Sequence, residues 1–294
     1  MEHTPMSACR IEIQAIELDG QTLRVGVRHG SSDRPPLVIF NGIGANLELL
    51  VPFIDELKDV SVIIFDVPGV GGSPPPQLPY RFATLAKLTD KLLTRLGFDG
   101  PVDALGVSWG GALAQQFAKM YPVRCRRLVL AATSPGVIMV PSRLSVFAKL
   151  LGPRRYTDPN YLEQIGGDIY GGAYRRDPEL LKEHSRHIQG SKGHGYFYQL
   201  LAMWSFSSLP WLGSLRQTTL VIHGDDDPIV PLVNARILAA RIPHATLEVI
   251  DDGHLFLVSR AKEVASMVQQ FLRYGPLPEP ERGIESLSLE HFAQ

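Results

Sequence analysis

Cysteine is scarce: the chain has two, Cys9 and Cys125, and no C-x-x-C pair. That excludes a disulfide-stapled scaffold and points to reduced thiols. Neither sign of charge is in excess, since 29 Lys and Arg stand against 30 Asp and Glu, for a net charge of −1. A nucleic-acid binder needs a concentrated basic surface, so no nucleic-acid partner is expected. No apolar run reaches the roughly 18 residues of a membrane-crossing helix, so no transmembrane segment is expected. The opening Met1-Glu2-His3-Thr4-Pro5 lacks the basic-then-apolar order of a secretion signal, and the expected location is the cytoplasm. Neither Asn41-Gly42-Ile43-Gly44 nor Pro68-Gly69-Val70-Gly71-Gly72-Ser73 carries the Lys-Ser/Thr of a phosphate loop or the full dinucleotide pattern. Nothing calls for an organic cofactor. The acidic run Asp225-Asp226-Asp227 has no neighbouring ligands to make it a metal site, and no internal repeat is visible.

What is present is an ordinary globular balance, 45% apolar and 20% charged over 294 residues, which suits one large domain or one domain with an insertion. The alternating runs Ile11–Ile16 and Leu23–Val27 flank Asp19-Gly20 and predict a hairpin of half-exposed strands. Apolar runs at Leu37–Phe40, Val60–Phe65, Val102–Leu105 and Leu128–Ala132 predict buried strands. Helical stretches separate them at about 47–57, 82–96 and from Gly111 to the stop at Pro122. Strand and helix in alternation imply a mostly parallel, doubly wound sheet covered on both faces, an α/β fold. The rhythm breaks over 137–213, which holds helical segments, Pro and Gly punctuation and the aromatic stretch Tyr196-Phe197-Tyr198, Trp204, Phe206 and Trp211. It resumes with the strand Thr219–His223, a helix at about 232–240, the strand Thr246–Ile250 and a helix at about 261–273. The chain therefore divides into a first core part (1–136), a helical insertion (137–213), a second core part (214–274) and a loosely held, Pro-rich tail (275–294).

The chemistry centres on Gly106-Val107-Ser108-Trp109-Gly110. A strand precedes it and a helix follows, the context in which G-x-S-x-G forms a sharp turn with the serine hydroxyl standing clear of the sheet. Such a serine is expected at positive φ, and the positions two before and two after must lack bulk, as Gly106 and Gly110 do. A serine is a weak nucleophile until a base takes its proton and a carboxylate holds that base in the right tautomer. Both partners occur downstream, on loops after late strands: Asp225-Asp226-Asp227 and then Asp251-Asp252-Gly253-His254. Of the nine histidines only His254 lies directly after the strand that follows the acid. His223 ends a strand, as a hydrogen-bonded core histidine would, and His184, His187 and His194 lie in the insertion. Any of the three adjacent aspartates could be the acid, and their proximity predicts perturbed pKa values within the cluster.

The order Ser, Asp, His resembles that of the α/β-hydrolases, with the insertion serving as a helical lid. That resemblance favours Asp227 as the acid, because G-x-x-D ahead of an Ile/Val-x-Pro-like segment is common there, and leaves Asp225 or Asp226 to bind backbone N–H groups in the turn. It also implies an oxyanion hole from the N–H groups of Trp109 and Ile43, although Asn41-Gly42 stands where His-Gly is common. The likeness goes further. Phe40–Leu49, Phe65–Ser73, Gly106–Phe117, Ile169-Tyr170-Gly171-Gly172-Ala173, Arg175–Leu180 and Asp251–Leu257 resemble the intracellular poly(3-hydroxyalkanoate) depolymerases that act on medium-chain polyesters. The resemblance covers about 12–273. It implies a serine esterase, with Ser108, Asp227 and His254 as its triad, that hydrolyses polyester at the surface of cytoplasmic storage granules and releases 3-hydroxy acids without cofactor or metal. The lid tryptophans Trp204 and Trp211 are the candidates for contact with the apolar substrate.

Overall fold

The structure, a computed structural model, describes residues 11–276 apart from 32, 151–153, 155–157 and 188–192. The tail expected over 275–294 falls almost wholly outside the described residues, as does Cys9. Strands β1 (Glu12–Leu18) and β2 (Gln21–Arg28) form the expected hairpin. Asp19 and Gly20 both take positive φ, 51° and 75°, which is what a two-residue turn with the twist of its strands requires. Then come β3 (Leu37–Phe40), a 3-10 turn at Leu47–Leu50 leading into α1 (Val51–Glu56), β4 (Val62–Phe65), α2 (Phe82–Arg95), β5 (Val102–Val107), α3 (Trp109–Met120) and β6 (Cys125–Ala131). After the insertion follow β7 (Thr218–Gly224), the helix Val233–Arg241, β8 (Ala245–Ile250), a single turn at Phe256–Ser259 and the helix Ala261–Tyr274.

The eight strands make one sheet in the order β1-β2-β4-β3-β5-β6-β7-β8. β1–β2 and β2–β4 pair antiparallel and all other neighbours are parallel. Every residue of β3, β4 and β5 is buried, which is why these strands read as unbroken apolar runs. Alternation along the strands still sorts their side chains. Val38 and Phe40 pack with Leu85, Leu92 and Phe117 on one face, while Leu37 and Ile39 pack with Phe53, Val264 and Phe271 on the other.

Between β6 and β7 the described residues form helices at Leu144–Leu150, Pro159–Tyr170 (α4), Gly172–Arg176 (α5), Pro178–His187 and Gly195–Trp204 (α6), with no strand beyond an isolated bridge from Gly136 to Ser207. This inserted helical region has a small core of its own, built on Leu162, Ile165, Ile169, Tyr174 and Leu181. No helix among the described residues is long and apolar enough to cross a membrane.

Candidate active site

Ser108 sits between β5 and α3 at φ 53°, ψ −118°, a strained conformation for a residue with a side chain. The turn holds because it is crowded and hydrogen-bonded. A Cβ on Gly106 would stand 2.4 Å from the Gly110 carbonyl oxygen, and one on Gly110 would stand 2.1 Å from that of Phe40. The Ser108 N–H donates to the Ala131 carbonyl at 2.9 Å, and Thr133 Oγ1 donates to the Ser108 carbonyl at 2.6 Å.

The loops after β7 and β8 bring Asp227 and His254 together. His254 Nδ1 is 2.7 Å from Asp227 Oδ2, with both side chains almost wholly removed from solvent. A carboxylate can only accept, so Nδ1 carries the proton and the other ring nitrogen, Nε2, keeps its lone pair. The second oxygen of Asp227, Oδ1, accepts the N–H groups of Ile229 and Val230, each at 2.9 Å. This corrects one expectation: the turn's N–H groups are bound by Asp227 itself and not by Asp225 or Asp226. Asp225 is exposed. Asp226 reaches sideways into the insertion, accepting the Gly172 N–H at 2.7 Å and pairing with Arg175 Nη1 at 2.6 Å. Partial burial pushes the Asp226 carboxyl up, but the Gly172 N–H and Arg175 outweigh it and hold the group below its ordinary range. The perturbation in this cluster thus comes from partners in the insertion.

His223 is fully buried at the end of β7. Its Nε2 lies 2.7 Å from the Val230 carbonyl, so that nitrogen carries the proton, and 3.4 Å from Asp227 Oδ2. Burial pushes its pKa down, against the pull of Asp227.

Ser108, His254, Trp109 and Ile43 all line one cavity of about 370 Å³, whose walls are mostly apolar and include Leu200, Met203, Trp204 and Phe147. The loop bearing Ile43 comes close to the serine: a Cβ on Gly42 would be 3.8 Å from Ser108 Cβ. Asn41, in place of the common histidine, closes this loop on itself, accepting the Gly42 N–H at 2.8 Å and donating to the Asn46 carbonyl at 2.8 Å. Buried Asp66 pins the end of the loop through the Leu47 N–H at 2.8 Å and also accepts from Gly72 N–H and Arg24. From above, Gln199 of α6 accepts the Gly44 N–H at 2.8 Å, and its own carbonyl accepts the Trp109 indole N–H at 2.9 Å. The sequence assigns neither Gln199 nor Asp66 a role, since the side chains of both hold backbone N–H groups that have no residue type. The two tryptophans singled out in the insertion part company. Trp204 lines the cavity and is 69% exposed, whereas Trp211 packs on Phe206 and beneath Lys119 and is absent from the cavity wall. Among the described residues, no group of three or more His, Cys, Asp and Glu converges as a metal site would.

A parallel sheet with a serine at a strained strand–helix turn, and an Asp–His pair on later strand-end loops, defines an α/β hydrolase. Residues 35–261 match the alpha/beta hydrolase fold family, and the chain belongs to it. Within it, the chain is 53% identical over 261 residues, 88% of this chain and 92% of the other, to the poly(3-hydroxyalkanoate) depolymerase of Ectopseudomonas oleovorans. It is also 25% identical to 3-oxoadipate enol-lactonase 2 of Acinetobacter baylyi, over 83% of this chain and 91% of that one. The crystal structure of a hydrolase from Pseudomonas aeruginosa superposes with a TM-score of 0.75 at 25% identity, covering 91% of this chain and 100% of that one.

Proposed function

We propose that this hydrolase cleaves the ester bonds of medium-chain poly(3-hydroxyalkanoate) at the surface of storage granules in the cytoplasm, releasing 3-hydroxy acids or short oligomers. The observation that carries the reading is 53% identity along nearly the whole of both chains to a poly(3-hydroxyalkanoate) depolymerase. The buried Asp227–His254 pair and Ser108 on one apolar cavity supply chemistry that fits it. At about 370 Å³ the cavity is near the small end of the ~300–1,000 Å³ range of ligand pockets, suited to a short stretch of chain and not to a folded polymer.

In this mechanism Ser108 Oγ attacks the ester carbonyl carbon while His254 Nε2 takes its proton. The negative charge that develops on the carbonyl oxygen is stabilised by the backbone N–H groups of Trp109 and Ile43. Asp227 holds the imidazole in the Nδ1–H tautomer and stabilises its positive charge. The C–O bond to the leaving alcohol breaks as His254 returns the proton to that oxygen. A water molecule, deprotonated by His254, then attacks the acyl-enzyme, and collapse of the second tetrahedral intermediate frees the acid and restores Ser108. Around the cavity mouth Trp204, Val137 and Phe147 line the wall and remain exposed, as does nearby Leu144, and we assign this rim to contact with the granule.

The test is release of 3-hydroxy acids from purified granules, with Ser108→Ala as control. Release that depends on Ser108 is expected. Turnover of p-nitrophenyl octanoate with no product from granules would make the chain a small-ester hydrolase, and turnover of neither would leave a binding protein.

A further inference from the structure

The stretch Ile169-Tyr170-Gly171-Gly172-Ala173 carries much of the family resemblance yet has no part in the chemistry above. It forms the junction of α4 and α5 in the inserted region. Three hydrogen bonds join this junction to the loops that hold the acid and the base. The His254 N–H donates to the Tyr170 carbonyl at 2.7 Å. The Gly172 N–H donates to Asp226, the neighbour of Asp227, at 2.7 Å. The Ala173 N–H donates to Oδ1 of Asp252, two residues before His254, at 2.6 Å.

Asp252 is buried and fully engaged. Its Oδ1 also accepts the Gly253 N–H at 2.7 Å, and its Oδ2 accepts the Ser259 hydroxyl at 2.6 Å. The fit leaves no room for a side chain. Gly171 and Gly172 have φ of 66° and 48°. A Cβ on Gly171 would lie 2.0 Å from the Asp226 carbonyl oxygen, and one on Gly172 would lie 1.9 Å from Gly253 N. Simple attachment of an insertion does not call for two left-handed glycines and a buried carboxylate placed against these two loops. Strand pairing between β7 and β8 ends at Gly224 and Ile250, so beyond those residues the loops need another spacer. Beside the Asp227–His254 bond itself, two backbone bonds cross between them there, from the Asp225 N–H to the Ile250 carbonyl at 3.0 Å and from the Asp226 N–H to the Asp252 carbonyl at 3.1 Å.

We propose that the Tyr170–Ala173 turn positions the catalytic pair: it sets the spacing of Asp227 and His254, with Gly172 and Asp252 as positioning residues. The proposal rests on the triad reading above. It makes the α4–α5 half of the insertion a fixed part of the catalytic centre. A tilt of that half would shift His254 together with Tyr170, which lines the cavity.

The experiment measures kcat and KM on p-nitrophenyl octanoate, a substrate that needs no granule, at equal folded fraction by near-ultraviolet circular dichroism. The low-field proton resonance of the hydrogen bond between His254 and Asp227 is recorded on the same samples. Asp252→Ala is expected to lower kcat by roughly ten- to a hundredfold, the scale of a misplacement of about 1 Å, with KM held within threefold and the resonance shifted or broadened away. Asp252→Asn keeps an Oδ1 acceptor for Ala173 and is expected to recover most of the rate. Gly172→Ala should fall at least as far as Asp252→Ala; if it does not fold, the two Asp252 variants decide. A folded Asp252→Ala with kcat within threefold of wild type overturns the proposal. So does a loss that Asp252→Asn shares in full, or one that leaves the resonance unmoved. Ser108→Ala in the same assay keeps the two readings apart: if it retains activity, the triad assignment fails first.

Discussion

Removal of the Trp204 ring separates contact with a granule from chemistry in the cavity. Trp204 is 69% exposed at the end of α6, beside the cavity mouth. A tryptophan side chain presents on the order of 200 Å², so about 140 Å² of it remains open. Burying half of that against an apolar surface, at ~25 cal/mol per Å², stabilises the contact by about 1.7 kcal/mol before ordering losses. That corresponds to roughly a twentyfold change in affinity for the surface. Trp204→Ala should therefore lower hydroxy-acid release from granules at limiting enzyme about tenfold more than it lowers kcat/KM on p-nitrophenyl octanoate. The granule-bound fraction, measured by sedimentation, should fall in step. Trp211→Ala is the contrast: its ring packs on Phe206, so the variant should lose thermal stability and show no preferential loss on polymer. Equal losses on both substrates for Trp204→Ala, with sedimentation unchanged, would refute the argument and make Trp204 a wall of the cavity only.

Three further outcomes follow from the site. Ser108→Ala should lower ester hydrolysis by ~10³-fold or more with an unchanged circular dichroism spectrum, since only a hydroxyl is lost; near-normal turnover would exclude Ser108 as the nucleophile. Asp227→Asn should depress kcat far more than Asp225→Asn, because Asp227 is buried against His254 and Asp225 is exposed; the reverse order in a steady-state assay would move the acid to another residue. His223, held below its ordinary pKa of about 6.5 by burial, takes up its proton more readily in the unfolded chain. Its contribution to stability is therefore complete above pH ~6.5 and is lost as pH falls towards the folded pKa, with a limiting slope of ~1.4 kcal/mol per pH unit. Denaturant titrations between pH 7 and 5 should show that slope reduced in His223→Gln, which keeps a donor for the Val230 carbonyl; an unchanged slope would sink the assignment.

Much of the core was legible because its physics is local. Buried parallel strands must be apolar throughout, so β3, β4 and β5 announce themselves, and Gly106 and Gly110 flag a turn that admits no side chain. The partner of His254 was not legible from residue type. Three adjacent aspartates have the same chemistry, and their different fates depend on which way the loop after β7 turns: Asp225 to solvent, Asp226 to Arg175, Asp227 to His254. Trp204 and Trp211 were likewise one class in the sequence, and only packing against Phe206 separates them. The anchoring roles of Gln199 and Asp252 were invisible for another reason. Each receives a backbone N–H from a residue more than seventy positions away, and a backbone donor has no residue type.

The junction at Tyr170–Ala173 bears on how this fold can be re-engineered. Inserted helical regions are tempting units to exchange between hydrolases, on the premise that specificity travels with the cap and catalysis stays with the sheet. Here cut points at the end of β6 and the start of β7 would carry off the partners of Asp226, Asp252 and the His254 N–H together with part of the cavity wall. A chimera so made would lose turnover on every ester, old or new, and the failure would be misread as a wrong specificity. Crossovers that retain residues 170–173 and Gln199 from the recipient, and replace only the segments between them, keep the backbone contacts matched to their own loops.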